Sequence, residues 1–353
     1  MPLTLGDRGV SQTFVNLKNR LVRRKEPPVI QDPALNPQFS VESLELVLKK
    51  KKLQTSIGYI KLDAYVGSGA FGKVFSGHLK RHDGSVNRVA IKFQKPLFGP
   101  LDPAIPMPKN YAEIEHEYKI MDRMSTYDGF VRVFAPNFAG RYKYYVMDYI
   151  GPDVDTLRGK REKFRLKTIM GLEIARQMLN RIRAVHAEGW VVHDIHPGNF
   201  LIDEQNKVYM IDLAFAYPYR DRDGTHISPN RAPFVFSNMR MLALASRREE
   251  KGELSSRIDD IERFLYMLIL ILKGSLPWEA VKNVQDARRM KLTMTPEELC
   301  DAVHLKWLTP VFSYVFQHSF DADPPYRYID ETLQMMLAHT KKVEREQKTN
   351  KKT

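Results

Sequence analysis

Between Gly67 and Val74 the chain reads GSGAFGKV, and from Val89 to Lys92 it reads VAIK. A glycine triplet at this spacing is weak by itself, because a dinucleotide fold or an ordinary glycine-rich turn uses it equally. The dinucleotide alternative needs a helix to open directly on the glycines. Here the neighbours Tyr65, Val66, Phe71, Val74 and Phe75 favour strand, so the segment predicts a hairpin tip. A valine two residues past the last glycine, then an apolar strand ending in lysine, points to a phosphate-binding β-hairpin.

Composition sets no obstacle. A chain of 353 residues with 43% hydrophobic content can hold two lobes with separate cores and short extensions. A single cysteine, Cys300, excludes an intrachain disulfide and a cysteine-built zinc site, and fits a reducing compartment. The start, MPLTLGDRGVSQ, has no apolar core of signal-peptide length. The longest apolar run, Phe264 to Leu272, falls short of the roughly 20 residues that span a bilayer and predicts a helix buried in the larger lobe. The expected location is cytoplasmic, nuclear or both. Net charge is +13, gathered in Lys18 to Lys25, Lys49 to Lys52 and the tail from Lys341. Each run alone reads as a solvated terminus, and together they favour acidic partners. No zinc-finger spacing, RNP-type strand or helix-turn-helix accompanies them, which argues against nucleic acid as the main ligand.

Four segments are expected. Residues 1–56 form a flexible basic extension, with Pro27, Pro28, Pro33 and Pro37 breaking helices and a short helix over Val41 to Lys52. Residues 57–150 form a β-rich small lobe with one helix near Ile114 to Met124, preceded by the proline-rich loop QKPLFGPLDPAIPMPKN. Residues 151–340 form a mainly helical large lobe, and 341–353 a basic tail too polar to bury a core.

Phosphoryl transfer depends more on charge placed around the ATP tail than on a covalent partner. Lys92 suits the α- and β-phosphates, but it must be pinned by an acid on the following helix. Glu117 in EIEHEYKIMDRM is the candidate, and Glu113 and Glu115 are rivals, since only one of the three can face Lys92 well. VVHDIHPGNFLID then places Asp194 and Asn199 five residues apart, and VYMIDLAFAYPY puts Asp212 after an apolar strand. As isolated residues these aspartates would read as turn formers. Coincidence is a poor account of all five positions in this order.

From about residue 57 to 340 the chain resembles protein kinases of the casein kinase 1 superfamily. MDYIGPDVDTL resembles the hinge, HPGNFLID the catalytic loop, SRIDDIERFLYML the Arg-Asp-Asp-Leu-Glu helix, and GSLPW a family signature; FSN at Phe236 to Asn238 stands where relatives have Ser-Ile-Asn. The resemblance implies an α+β bilobal kinase fold. It also implies that Gly67, Ser68, Gly69, Ala70, Gly72 and Val74 cover the nucleotide, and that Lys92 and Glu117 pair. Ala90, Met147 as gatekeeper, and the backbones of Asp148 and Ile150 would hold adenine. Asp194 would be the base, Asn199 and Asp212 would bind Mg2+, and Asp260 would anchor the catalytic loop.

The departures bear on activity. Val192-His193-Asp194 replaces His-Arg-Asp, which removes the arginine that pairs with an activation-loop phosphate. His196 stands where relatives have a catalytic lysine. Asp212-Leu213-Ala214 replaces Asp-Phe-Gly, and alanine loses glycine's access to positive φ. The priming-phosphate arginine aligns with Pro233, near Arg231, while Arg289 keeps a second basic position. The leading expectation is a monomeric serine/threonine kinase that uses Mg-ATP on acidic or phosphorylated proteins. A pseudokinase scaffold is the rival. A nucleic-acid-binding protein would explain the tails but none of the core motifs.

Overall fold

The computed structural model describes residues 52–69, 72–94, 114–139, 142–229 and 243–350. The predicted basic extension up to Lys51 with its helix from residue 41, the proline-rich loop beyond Gln94, Ala70, Glu113, Arg231, Pro233 and Phe236 to Asn238 lie outside them; the end of the extension is not flexible chain, because Leu53–Thr55 pair as a strand with Gly58–Ile60 and join the small lobe.

Six strands form one antiparallel sheet: β1 Leu53–Thr55, β2 Gly58–Gly69, β3 Gly72–Arg81, β4 Val86–Gln94, β5 Val133–Ala139 and β6 Tyr142–Asp148, in the order β1-β2-β3-β4-β6-β5. Alternation divides its faces. Val89, Ile91 and Phe93 of β4 pack with Phe75, Leu79, Tyr142, Tyr144 and Val146 in a core of their own. The intervening Ala90, with Tyr145 and Met147 of β6, belongs instead to the large core beneath. That large core takes in helix α1, Ile114–Met124, through Ile114, Ile120, Met121 and Met124, which recur at helical spacing. The predicted helix span is the observed one.

The large lobe is mainly helical, with α2 Val154–Gly159, α3 Thr168–Ala187, α4 Arg247–Glu250, α5 Arg257–Lys273, α6 Val284–Thr293, α7 Pro296–Ala302, α8 Thr309–Gln317 and α9 Tyr326–Asn350. Short strands β7 Trp190–Val191 and β10 Tyr217–Pro218 pair with each other, as do β8 Phe200–Ile202 and β9 Val208–Met210. Helix α5 carries the long apolar run and is buried along almost its whole length, as its composition predicts. Removing one of its large side chains, as in Phe264→Ala, costs about 3–5 kcal/mol. Asp259 starts this helix by accepting the Ser256 N–H at 2.8 Å. Gly274 ends it at φ 95°, where a Cβ would lie 2.1 Å from the Lys163 carbonyl oxygen, so only glycine fits.

The segment from residue 341, expected as a basic tail too polar to bury a core, is helical as far as Asn350. Helix α9 continues unbroken to Asn350, and Lys341 Nζ lies 2.7 Å from Glu173 Oε1 of α3. Lys, Glu, Arg and Gln are good helix formers, so a segment too polar to build a core still extends a helix already anchored by Ile329, Leu333 and Leu337.

Candidate active site

The glycines sit where the hairpin needs them. Gly67, Ser68 and Gly69 close β2 and Gly72 opens β3, with Gly69 opposite Gly72. A Cβ on Gly72 would lie 2.2 Å from the Phe93 carbonyl oxygen, so its lack of a side chain permits the close packing of β3 on β4. Val74 follows on β3 and pairs with Lys92 on β4.

Lys92 is buried and serves two acids. Its Nζ lies 2.7 and 2.8 Å from the Glu117 carboxylate oxygens and 3.0 Å from Asp212 Oδ2. Of the rival glutamates, Glu115 instead pairs with Lys143. Tyr145 donates its hydroxyl to Glu117 Oε1 at 2.8 Å, a partner that no sequence motif announced. Burial disfavours charge on Lys92, but Asp212 and Glu117 outweigh it and hold the ammonium charged. One lysine cannot neutralise two acids, however. Glu117 is the deeper of the two, and burial pushes its carboxyl up to about 7 against the attraction of Lys92.

Chain backbone brings the remaining polar residues in from the large lobe. Asp260 on α5 accepts the backbone N–H groups of Val192 at 2.7 Å and His193 at 2.9 Å, and its Oδ2 lies 2.8 Å from His186 Nε2. The expected anchoring of the catalytic loop by Asp260 is thus present in the geometry. Asn199 donates its Nδ2 to the Asp194 carbonyl at 2.9 Å, which leaves the amide oxygen as the end a cation would take. Its own carbonyl accepts the Ile211 N–H at 2.9 Å, so Asn199 is held beside the residue before Asp212. Asp212 has φ 60°, and Leu213 is fully buried behind it. The left-handed backbone falls on the aspartate, a residue type that tolerates it, rather than on Ala214.

His196 replaces a lysine and is wired differently. Its Nδ1 accepts the Gly198 N–H at 3.1 Å, and its Nε2 lies 3.7 Å from Asp194 Oδ2. Burial opposes a charge here, but the Asp194 carboxylate outweighs it and raises the histidine pKa. Burial opposes charge on Asp194 as well, but His196, with Arg263 and His193, outweighs it and holds the carboxyl below its ordinary range.

At the hinge, Met147 is buried at the end of β6 opposite Ala90. Asp148 commits its N–H to the Arg132 carbonyl at 3.1 Å and its carboxylate to the Arg132 guanidinium at 2.8 Å. Ile150 follows, partly buried on the large core. Gly151 then passes so close to β8 that a Cβ would sit 2.3 Å from the Ile202 carbonyl oxygen.

These elements are arranged as a glycine-bearing hairpin, a lysine–acid pair and two side-chain oxygen donors beside a loop aspartate. Residues 60–229 match the family model of the protein kinase domain. The chain is 28% identical over 299 residues to a probable casein kinase I homolog of Encephalitozoon cuniculi, covering 81% of this chain and 87% of that protein. It is 27% identical over 301 residues to casein kinase I homolog 2 of Schizosaccharomyces pombe, covering 80% of this chain and 64% of that protein. Fold and sequence together define the class as a protein kinase domain with a β-rich small lobe and a mainly helical large lobe. Within that class the similarity to casein kinase I homologs, at 27–28% identity, is consistent with a divergent casein kinase 1-like kinase. No helix among the described residues is long and apolar enough to cross a membrane.

Proposed function

We propose that this chain is an active serine/threonine protein kinase that transfers the γ-phosphoryl group of Mg-ATP to a protein hydroxyl. The observation that carries the reading is Lys92, which reaches Glu117 and Asp212 at once. That contact draws the phosphate-binding lysine, its helix partner and a metal-binding acid to one point.

Adenine would lie between Ala90 and the hinge, meeting the Asp148 carbonyl and the Ile150 N–H, with Met147 behind it. Gly67, Ser68, Gly69, Ala70, Gly72 and Val74 would cover the phosphates. The Asn199 amide oxygen and the Asp212 carboxylate are hard oxygen donors, which suits Mg2+ shared between few protein ligands and substrate phosphates. Bound there, Mg2+ would neutralise charge developing on the transferred group. Asp194 would orient the attacking hydroxyl and take its proton. His196 would place its Nε2–H towards the transferred group where relatives use lysine. The basic surface favours acidic or phosphorylated protein substrates, and Arg289, exposed on α6, is one contact for them. We place this activity in the cytoplasm or nucleus and in a monomer.

One observation favours a second reading, a pseudokinase scaffold: His196 is already engaged by Gly198 and Asp194. A transfer assay with radiolabelled ATP, Mg2+ and casein decides between them. The kinase reading expects serine or threonine labelling that disappears in Lys92→Met and Asp194→Asn. Nucleotide binding without labelling would leave the scaffold.

A further inference from the structure

The position that lacks an arginine, His193, is buried and not idle. Its backbone is left-handed at φ 65°, a conformation that a histidine keeps only when its surroundings enforce it. Asp260 holds the His193 N–H. The ring is held from another direction, with Nδ1 lying 3.1 Å from Glu249 Oε1 on α4. A carboxylate cannot donate, so Nδ1 carries the proton in this contact.

Glu249 is saturated. Its Oε2 accepts the Arg263 Nε–H at 2.7 Å and the Ser246 N–H at 2.6 Å, and its Oε1 also receives Arg263 Nη2. Four donors use the four lone-pair directions a carboxylate offers. Arg263 is almost fully buried, comes from α5, and lies close enough to Asp194 to lower that carboxyl's pKa. A guanidinium missing from the catalytic loop is thus supplied by the core helix. A carboxylate on the segment after the metal-binding Asp212 bridges it to the loop.

We propose that Glu249 is a positioning residue that, through His193 and Arg263, holds the Asp194 loop in place of a phosphate group on the activation segment. It makes the contacts a phosphate would make to a loop arginine: an anion with several acceptor sites, charge-assisted donors on both sides, and a link between the catalytic loop and the chain downstream. Being built in, it needs no modifying enzyme. The inference rests on the kinase reading for its effect on turnover, but its effect on the loop does not need activity.

The test compares full-length wild type with Glu249→Gln and with Glu253→Gln, an acid four residues on that pairs with Arg248 rather than with the loop. Hydrogen–deuterium exchange of the amides of residues 192–199 should rise at least tenfold in Glu249→Gln and stay unchanged in Glu253→Gln. Peptide phosphorylation should show kcat falling at least tenfold in Glu249→Gln with KM for ATP within twofold. Phosphatase treatment should leave wild-type kcat unchanged. Because Glu249→Gln removes the carboxylate paired with a buried guanidinium and lowers overall stability, the double variant Glu249→Gln/Arg263→Met is included to restore it. Loop protection should stay lost in the double variant although its melting temperature recovers. Wild-type loop protection in either variant would overturn the proposal, and so would full activity loss on phosphatase treatment. Exchange that behaves as stated in a protein without transfer activity would sink the kinase reading alone.

Discussion

Two buried charge clusters hold this domain together, and they are built in opposite ways. In the small lobe one lysine, Lys92, serves two carboxylates, Glu117 and Asp212. In the large lobe one carboxylate, Glu249, serves a guanidinium, an imidazole and a backbone amide. The first cluster carries more acid than its cation neutralises, so a further cation would be favoured there. The second has its carboxylate fully occupied and is suited to hold geometry. Excess charge marks a place for ligand; complete pairing marks a place for shape.

The largest effect that tests this contrast is on turnover. Lys92→Met and Asp194→Asn are each expected to lower kcat/KM for peptide phosphorylation by about 10^3 or more, since positioned charge and proton transfer each contribute large factors. Steady-state assays with circular dichroism as a folding control measure this. Turnover unchanged in both variants would remove the site from the chemistry.

Stability against pH separates the clusters by sign. Glu117 has its folded pKa raised to about 7 from 4.5, so its contribution is complete below about 4.5 and is lost as pH rises through about 7. Relative to wild type, Glu117→Gln should therefore melt at progressively higher temperature between about pH 5 and pH 8. Glu249 is held well below its ordinary range because Arg263 and His193 outweigh its burial. Its contribution is present above about 4.5 and is lost as pH falls below that, so the deficit of Glu249→Gln should shrink on acidification. At neutral pH that deficit should be about 3–5 kcal/mol by urea unfolding, the cost of breaking a buried pair from one side. Parallel pH curves for the two variants would erase the distinction between the clusters.

A smaller effect is expected at His196, which adjoins Asp194. Its raised pKa means more of the charged form as pH falls, so wild-type transfer should increase from about pH 8 towards about 6.5. His196→Lys should be flatter and several-fold faster at the alkaline end. Dividing the two profiles cancels the titration of ATP itself, and a flat quotient would show that this histidine does not stand in for the lysine. Smallest of all is the exposed Lys341–Glu173 pair, where Lys341→Ala should change unfolding free energy by less than about 1 kcal/mol.

The strand–turn–strand with its glycines, the lysine strand, the helix over Ile114–Met124 and the buried α5 were legible because each rests on short-range periodicity or spacing. Three features were not. Glu117 is the candidate the sequence names, but what excludes Glu115 is how α1 is rotated against β4, and three acids within five residues give no local signal for that. The roles of Glu249 and Arg263 were missed because neither lies in a motif and each looks like an ordinary charged residue on a helix. The helical run to Asn350 has no apolar signal of its own in the sequence, because a helix needs only one anchored stretch to propagate through polar residues.

The order and identity of Lys92, Asp194, Asn199 and Asp212 were determined by the sequence, since backbone spacing along strand and loop places each of them with little help from distant contacts. Tertiary structure alone decided how charge is shared among them. Whether an acid is a ligand site or a clamp depends on which distant cations fold against it and how much water remains. Coulombic attraction and desolvation act through space, between β4 and α1 on one side and between the Asp194 loop, α4 and α5 on the other, where neighbours in the chain carry no record of them.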